Sequence, residues 1–310
     1  MKALPPAIFL MGPTASGKTQ VAVELAQRLP LEIISVDSAL VYRHMDIGTA
    51  KPDAATLMRA PHHLINIIDP TDAYSAAAFC RDALQLMKEI TQRGHIPLLV
   101  GGTMLYFRAL RQGLSELPQA DSLVRRELNE RGAQLGWPAM HAELALLDPA
   151  SAARLNPNDS QRIQRALEIQ RLTGQPMSSL IGHMRHTPLP YSLTSLALIP
   201  SDRGQLHARI ATRFSAMIEL GLVNELHTLQ NKFPLHRDLP AMRCVGYRQA
   251  WQFLSGEINH DQLLDQGIAA TRQLAKRQLT WLRSMVDNIE LDCLEPDLTE
   301  RVYNTVSAEV

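Results

Sequence analysis

The first hundred residues alternate between short apolar runs and longer stretches with helical spacing. AIFLM (7–11), LEIISVD (31–37), HHLINIID (62–69) and IPLLVGGT (96–103) have the length and apolar density of buried strands. Between them, GKTQVAVELAQRL (17–29) repeats its apolar positions at helical intervals. SAAAFCRDALQLMKEITQRG (75–94) does the same, opened by Ser75 and closed by Gly94. Strands alternating with helices predict an α/β fold with a parallel sheet flanked by helices. From 116 to 192 the pattern turns to helical segments such as LVRRELNERGAQLG and DSQRIQRALEIQRLTG, and strand character resumes only at LTSLALIP (193–200). Residues 203–231, 246–255 and 261–285 read as helices. The expected organisation is an α/β core of 1–115 and 193–310 interrupted by a helical insertion domain, 116–192.

The junction of the first strand and first helix carries the clearest chemistry. Gly12-Pro13-Thr14-Ala15-Ser16-Gly17-Lys18-Thr19 satisfies G-x-x-x-x-G-K-[ST] in the context that the motif requires, after a strand and opening a helix. Such a loop aims backbone N–H groups and a helix N-terminus at an anion, Lys18 adds a point charge, and the Thr19 hydroxyl can sit on Mg²⁺. This makes the predicted core P-loop NTPase-like. The loop selects a polyphosphate without saying which one. Asp37 and Thr103 fall at the carboxyl ends of two other predicted strands, where ligands of parallel sheets bind. A carboxylate there can accept a proton from a nucleophile, and a hydroxyl can orient a substrate. PAMRCVGYRQAW (240–251) sets Arg243 and Arg248 around Tyr247, a phosphate clamp with a stacking face suited to an unstacked nucleotide. Arg272 and Lys276 lie four apart on one helix, with Arg283 further along, and read as a solvated face; Trp281 reads as core.

Composition narrows the class. Three cysteines (Cys80, Cys244, Cys293) stand far apart without zinc spacing, against a disulfide framework or structural zinc, and the adjacent His62-His63 pair reads as a hydrogen-bonded loop. No apolar run approaches the roughly 20 residues that span a bilayer, and no cleavage site follows the N-terminal apolar run, so a cytoplasmic protein without membrane contact is expected. The formal net charge is zero. Yet residues 201–283 carry 11 Lys/Arg against 7 Asp/Glu, while 284–310 carry 1 against 7. An acidic tail thus masks a basic segment, and neutrality excludes no nucleic-acid partner.

Taken together, GPTASGKT, SVDSALVYRHMDIGTAKP, LLVGGTMLYFRAL, NPNDSQRIQRALE, RCVGYRQAW and ATRQLAKRQLTWLR resemble the tRNA dimethylallyltransferases, the bacterial tRNA isopentenyltransferase family, from residue 12 to 283. The resemblance implies that the phosphate is the diphosphate of dimethylallyl diphosphate. The five-carbon group would pass to N6 of the adenosine just 3′ of the anticodon in the tRNA anticodon stem-loop, with Mg²⁺ near Thr19 and no ATP consumed. By position, Thr14 to Thr19 would cradle the diphosphate, Asp37 would take a proton from the amine, and Thr103 would help position the site. Arg213 would join the diphosphate, although Arg209 lies one helical turn away and spacing does not separate the two. RNA contacts would come from Asp37, Ser38, Ala39 and Leu40, from Thr103 and Arg125, from Gln161, Arg162, Ile163, Gln164 and Arg165, and from Arg243, Cys244, Val245, Gly246, Tyr247 and Arg248. The family works as a monomer, and the C-terminal zinc finger of some members is not expected here.

Three other readings fit parts of the sequence. A small-molecule kinase would use the phosphate loop and a hydroxyl acceptor. An isopentenyltransferase acting on free adenine nucleotides would need no insertion. A non-catalytic RNA-binding module would leave Asp37 and Thr103 idle.

Overall fold

The computed structural model describes residues 4–115, 117–181 and 188–308; residue 116, the first of the expected insertion, lies outside them. The chain divides into two compact units, 1–111 with 189–310, and 112–188. The first begins with β1 (Pro6–Met11), α1 (Lys18–Arg28), β2 (Leu31–Val36), α2 (Ala54–Arg59), β3 (His62–His63), α3 (Ala76–Gln92), β4 (Ile96–Gly101) and α4 (Met104–Gln112). The second holds α5 (Ser122–Leu135), α6 (Trp137–Leu147), α7 (Pro149–Ala152), α8 (Ser160–Thr173) and α9 (Met177–Leu180). The first then resumes with β5 (Ser192–Ile199), α10 (Arg203–Glu219), α11 (Leu222–Lys232), α12 (Tyr247–Leu254), α13 (His260–Ser284), β6 (Ile289–Asp292) and α14 (Leu298–Ser307).

Among the described residues the strands form one six-stranded sheet in the order β3-β2-β4-β1-β5-β6, with every pair parallel. The fold is P-loop-like α/β. A parallel sheet is covered on both faces, which explains the unbroken apolar runs. Along β1 the side chains alternate: Ala7, Phe9 and Met11 pack against α3, α4, α10 and α13, while Ile8 and Leu10 face α1 and α14. A third cluster gathers Val41, Tyr42 and Met45 with residues of α10, α11 and α12. The helical unit closes its own core around Leu128, Met140, Leu144, Ile163 and Leu167. No helix among the described residues is long and apolar enough to cross a membrane.

Three expectations need correction. HHLINIID is a strand only at His62–His63, because Leu64 (φ 63°) and Asn66 (φ 57°) take left-handed backbone that ends the extended run; one bridge, Tyr42 to Ile68, follows. Residues 203–231 form two helices, α10 and α11, parted where Gly221 takes φ 98°. The acidic tail holds an unforeseen strand, β6, beside β5, and a helix, α14, tied to α1 by the Arg28–Glu300 ion pair.

Candidate active site

Strand register brings the first pieces together. Met11 and Val36 both pair with Gly101, so β1, β2 and β4 end at one level. Gly12, Asp37 and Thr103 follow these ends directly or within two residues. A cavity of about 560 Å³ opens there, lined by Thr14, Lys18, Thr19, Asp37 to Leu40, Thr103, Arg213, Arg243 to Val245, Arg277, Gln278 and Trp281, among others.

The glycine loop meets α1 at Gly17, which takes φ 83° and offers no side-chain cap; the first helical turn holds no acidic residue. The N–H groups that head an α-helix have no partner within it, so this positive helix end is left for an anion. Lys18 reaches back to the Pro13 carbonyl at 2.7 Å. Burial, then the charge of Arg213, pushes its ammonium down to about 8 from 10.5, against the pull of Asp37. Burial likewise holds the Arg213 guanidinium below its ordinary value, with Asp37 opposing. Four cations, Lys18, Arg213, Arg243 and Arg277, thus face one cavity carboxylate, Asp37. Two crowded, partly desolvated cations repel each other, and an anion between them relieves both.

Asp37 is fixed by its own turn: Oδ1 accepts the N–H of Ala39 at 2.8 Å and of Leu40 at 3.3 Å. The Thr103 N–H donates to the Val36 carbonyl at 3.2 Å, and its Oγ1 accepts the Ser38 N–H at 3.0 Å. Carboxylate and hydroxyl therefore belong to one hydrogen-bonded assembly at the ends of β2 and β4. Spacing left Arg209 and Arg213 indistinguishable, but the structure separates them. Arg213 lines the cavity, whereas Arg209 donates to the Cys293 carbonyl at 3.0 Å.

The segment after Asp37 is fastened by groups that no sequence pattern announces. Lys51, its side chain 3% exposed, donates to Tyr42 O and Asp46 Oδ1 at 2.7 Å each and to Asn66 Oδ1 at 2.6 Å. Glu225, on α11, accepts the N–H groups of Asp46 (2.9 Å), Ile47 (2.8 Å) and Gly48 (3.2 Å). These contacts hold Gly48 to Ala50 and Pro52 against the cavity.

RCVGYR divides between lining and support. Arg243, Cys244 and Val245 line the cavity, and Arg248 is exposed at the start of α12. Burial, with Asp37 nearby, pushes the Cys244 thiol up to about 12. Gly246 takes φ 95° and donates its N–H to Gln249 Oε1 at 3.0 Å. Tyr247 is no stacking face: it is fully buried, its ring packs against Gly48, and its hydroxyl donates to Glu225. An aromatic with a polar tip reads alike in sequence whether the ring is wet or buried. Trp281, read as core, is half-buried in the cavity wall, with the Arg108 guanidinium 5.6 Å from its ring centre. Arg272, Lys276 and Arg283 are exposed.

In the helical unit, Gln161 and Arg162 are exposed, whereas Ile163 is a core residue whose side chain reaches no solvent. Arg125 and Arg165 both grip Glu168, whose carboxylate is fully buried. Burial would raise that carboxyl, but Arg125 and Arg165 hold it below its ordinary value. Gln164 donates to Asn129 Oδ1 at 2.7 Å.

No group of three or more His, Cys, Asp or Glu among the described residues could cage a metal. The donors around the loop are oxygens: the Thr19 hydroxyl, the Asp37 carboxylate and the buried Ser16 hydroxyl, which finds no partner. Such a set suits Mg²⁺, which is held by one or two protein oxygens together with substrate phosphates.

Parallel α/β proteins of the P-loop-like kind share this arrangement of sheet, loop and strand-end site. The sequence model of the IPP transferase family matches residues 40–285, and that of isopentenyl transferases matches residues 6–66. A tRNA dimethylallyltransferase of Thiobacillus denitrificans is 63% identical over 307 residues, 99% of this chain and 98% of that protein. One of Methylobacillus flagellatus is 62% identical over 304 residues, 98% and 96%. The crystal structure of full-length tRNA isopentenylpyrophosphate transferase from Bacillus halodurans superposes with a TM-score of 0.70 at 36% identity, covering 98% of this chain and 96% of that one. A eukaryotic dimethylallyltransferase acting on tRNA superposes with a TM-score of 0.76 at 26% identity, covering 98% and 80%. The chain belongs to the IPP transferase family, and it is a transferase enzyme.

Proposed function

We propose that this enzyme transfers the dimethylallyl group of dimethylallyl diphosphate to N6 of the adenosine 3′-adjacent to the anticodon in tRNA, releasing diphosphate. The observation that carries this reading is one cavity in which an anion loop with Lys18 and Arg213 faces Asp37 and Thr103. An exocyclic adenine amine is a weak nucleophile, so rate must come from orientation and from stabilising the leaving group. The N6 lone pair forms the new C–N bond as the C–O bond to the diphosphate breaks. Lys18, Arg213 and the first-turn N–H groups of α1 take up the charge that develops on the departing oxygen. Asp37, held through Oδ1, accepts the N6 proton, and Thr103 fixes the Ser38 backbone beside it. Mg²⁺ held by the Thr19 hydroxyl and diphosphate oxygens would add Lewis-acid stabilisation of the same charge.

The RNA would meet Asp37 to Leu40, the exposed Arg243 and Arg248, and exposed Gln161 and Arg162 of the helical unit. Arg125 and Arg165 would support that surface through Glu168. The protein would act as a cytoplasmic monomer. Incubation with labelled dimethylallyl diphosphate, unmodified tRNA and Mg²⁺, without ATP, tests the reading: label should appear on one anticodon-loop adenosine. Label on free adenine nucleotides instead, or transfer that requires ATP and forms ADP, would overturn it.

A further inference from the structure

We infer that Gln278 is a positioning residue that joins the two halves of the site, the loop that holds the leaving diphosphate and the turn that orients the nucleophile. The inference rests on the functional reading above and assigns a role to a residue outside the expected set. Gln278 lies on α13 and lines the cavity. Its Oε1 accepts the Thr14 N–H at 2.8 Å, within the anion loop. Its Nε2 donates to the Gly102 carbonyl at 2.9 Å, in the turn after β4 that leads into Thr103. One amide thus spans the ends of β1 and β4 from a third element.

The chemistry admits few substitutes. One partner is an N–H and the other a carbonyl, so the bridging group must accept and donate from neighbouring atoms, as a carboxamide does. The partners also fix which end of the amide faces which, since the reversed amide would oppose donor to donor and acceptor to acceptor. Close approach is built into the backbone: a Cβ on Gly102 would stand 2.4 Å from Gln278 Nε2. The platform is rigid. Asn259 and Gln262 close a reciprocal cap at the start of α13, and Ala275, Leu279 and Leu282 anchor its later turns in the core. Thr14 stands ahead of the N–H groups that head α1, so Gln278 sets the loop without occupying the helix end that faces the anion. On the other side, Thr103 holds the Ser38 N–H next to Asp37. The distance between leaving group and proton acceptor therefore depends on this amide.

The test compares the wild type with Gln278→Met and Gln278→Glu. Methionine keeps length and neutrality but makes neither hydrogen bond. A displacement of about 1 Å in a reacting pair costs up to about 100-fold in rate, so Gln278→Met should lower kcat by about 10- to 100-fold while KM for tRNA stays within about twofold. Glutamate sets a carboxylate oxygen against the Gly102 carbonyl, but its protonated form restores one donor and one acceptor. The ratio of Gln278→Glu to wild-type activity should therefore rise as pH falls from about 8 to about 6, the ratio cancelling titration common to both proteins. A role confined to folding would lower thermal stability and leave the pH ratio flat. The inference is overturned if kcat of Gln278→Met stays within about threefold of wild type, or if its loss lies wholly in KM for tRNA. If Gln278→Met does not fold, a flat Gln278→Glu ratio overturns it. Should the wild type transfer no prenyl group to tRNA, the functional reading fails. Calorimetric binding of inorganic pyrophosphate then decides the bridge: a weakening of about three- to tenfold in Gln278→Met supports it, and an unchanged affinity overturns it.

Discussion

Lys18→Met should make the protein more stable and the site weaker. Burial and Arg213 hold the Lys18 ammonium at about 8, against 10.5 for an ordinary lysine. At about 1.4 kcal/mol per pH unit, that gap puts the penalty for keeping Lys18 charged in the fold at roughly 3 kcal/mol. The unfolded chain holds the proton up to its ordinary value. Between about pH 8 and 10.5 the unfolded state therefore binds more protons, and stability rises with pH; below about pH 8 both states are protonated and the full penalty is present. Methionine removes the charge at similar length and loses the hydrogen bond to Pro13, worth about 1 kcal/mol. A net gain of about 2 kcal/mol is expected at neutral pH. At about 1.5 °C per kcal/mol for a chain of 310 residues, Tm should rise by about 3 °C. Scanning calorimetry without Mg²⁺ or diphosphate reads this, at neutral pH and near pH 10, where the gain should nearly vanish. Saturating pyrophosphate should reverse the order, because it binds and stabilises the wild type more strongly. A Lys18→Met Tm at or below wild type at neutral pH, or an advantage that grows with pH, would refute the reasoning.

Asp37→Asn should reduce prenyl transfer by about 10²–10⁴-fold, the usual worth of a general base, with tRNA affinity little changed in a filter-binding assay. Glu225→Gln weakens three backbone contacts and the Tyr247 bond together. It should cost about 2 kcal/mol in denaturant titration and raise KM for tRNA, because the clasped segment lines the cavity. Arg93, His63 and His95 hold the Glu32 carboxyl at about 2, so its stabilisation is present above the ordinary value of 4.5 and lost as pH falls towards 2. Glu32→Gln should cost about 1 kcal/mol near neutral pH after solvent screening, and the deficit should close on acidification; a pH-independent deficit would count against this assignment.

The strands of the sheet centre and the glycine loop were legible because their information is local. A buried parallel strand is a continuous apolar run, and the loop motif lies between one such run and a helix. Asp37 and Thr103 could be placed because each follows a predicted strand end. Long-range partners left no trace of this kind. Glu225 and Gln278 are single polar residues on amphipathic helices, indistinguishable by spacing from a solvated face, and their partners lie 177 to 179 and 264 residues away for the N–H groups of Asp46 to Gly48 and Thr14. The same limit explains Arg209 and Arg213, and Tyr247. Helical phase puts one turn between the two arginines, and only the tertiary fold gives the first to a carbonyl and the second to the cavity. β6 carries no local strand signal, because IELD is short, acidic and half-exposed, and the edge of β5 makes it a strand.

The position of β1 at the middle of the sheet bears on how the chain is made. Its partner on one flank, β4, begins 85 residues after Met11, but its partner on the other flank, β5, begins 181 residues after it. At about 5–20 residues per second, that flank waits on the order of 10–35 s with its backbone N–H and carbonyl groups unpaired. An open apolar edge is the usual template for intermolecular pairing. The helical unit emerges in the same interval and can close its core from local contacts, while the cavity must wait for α13, almost the last helix to appear. A nascent chain stalled before Ser192 should therefore be a substrate for holdase chaperones, and gene truncations that end inside the helical unit should aggregate through β1.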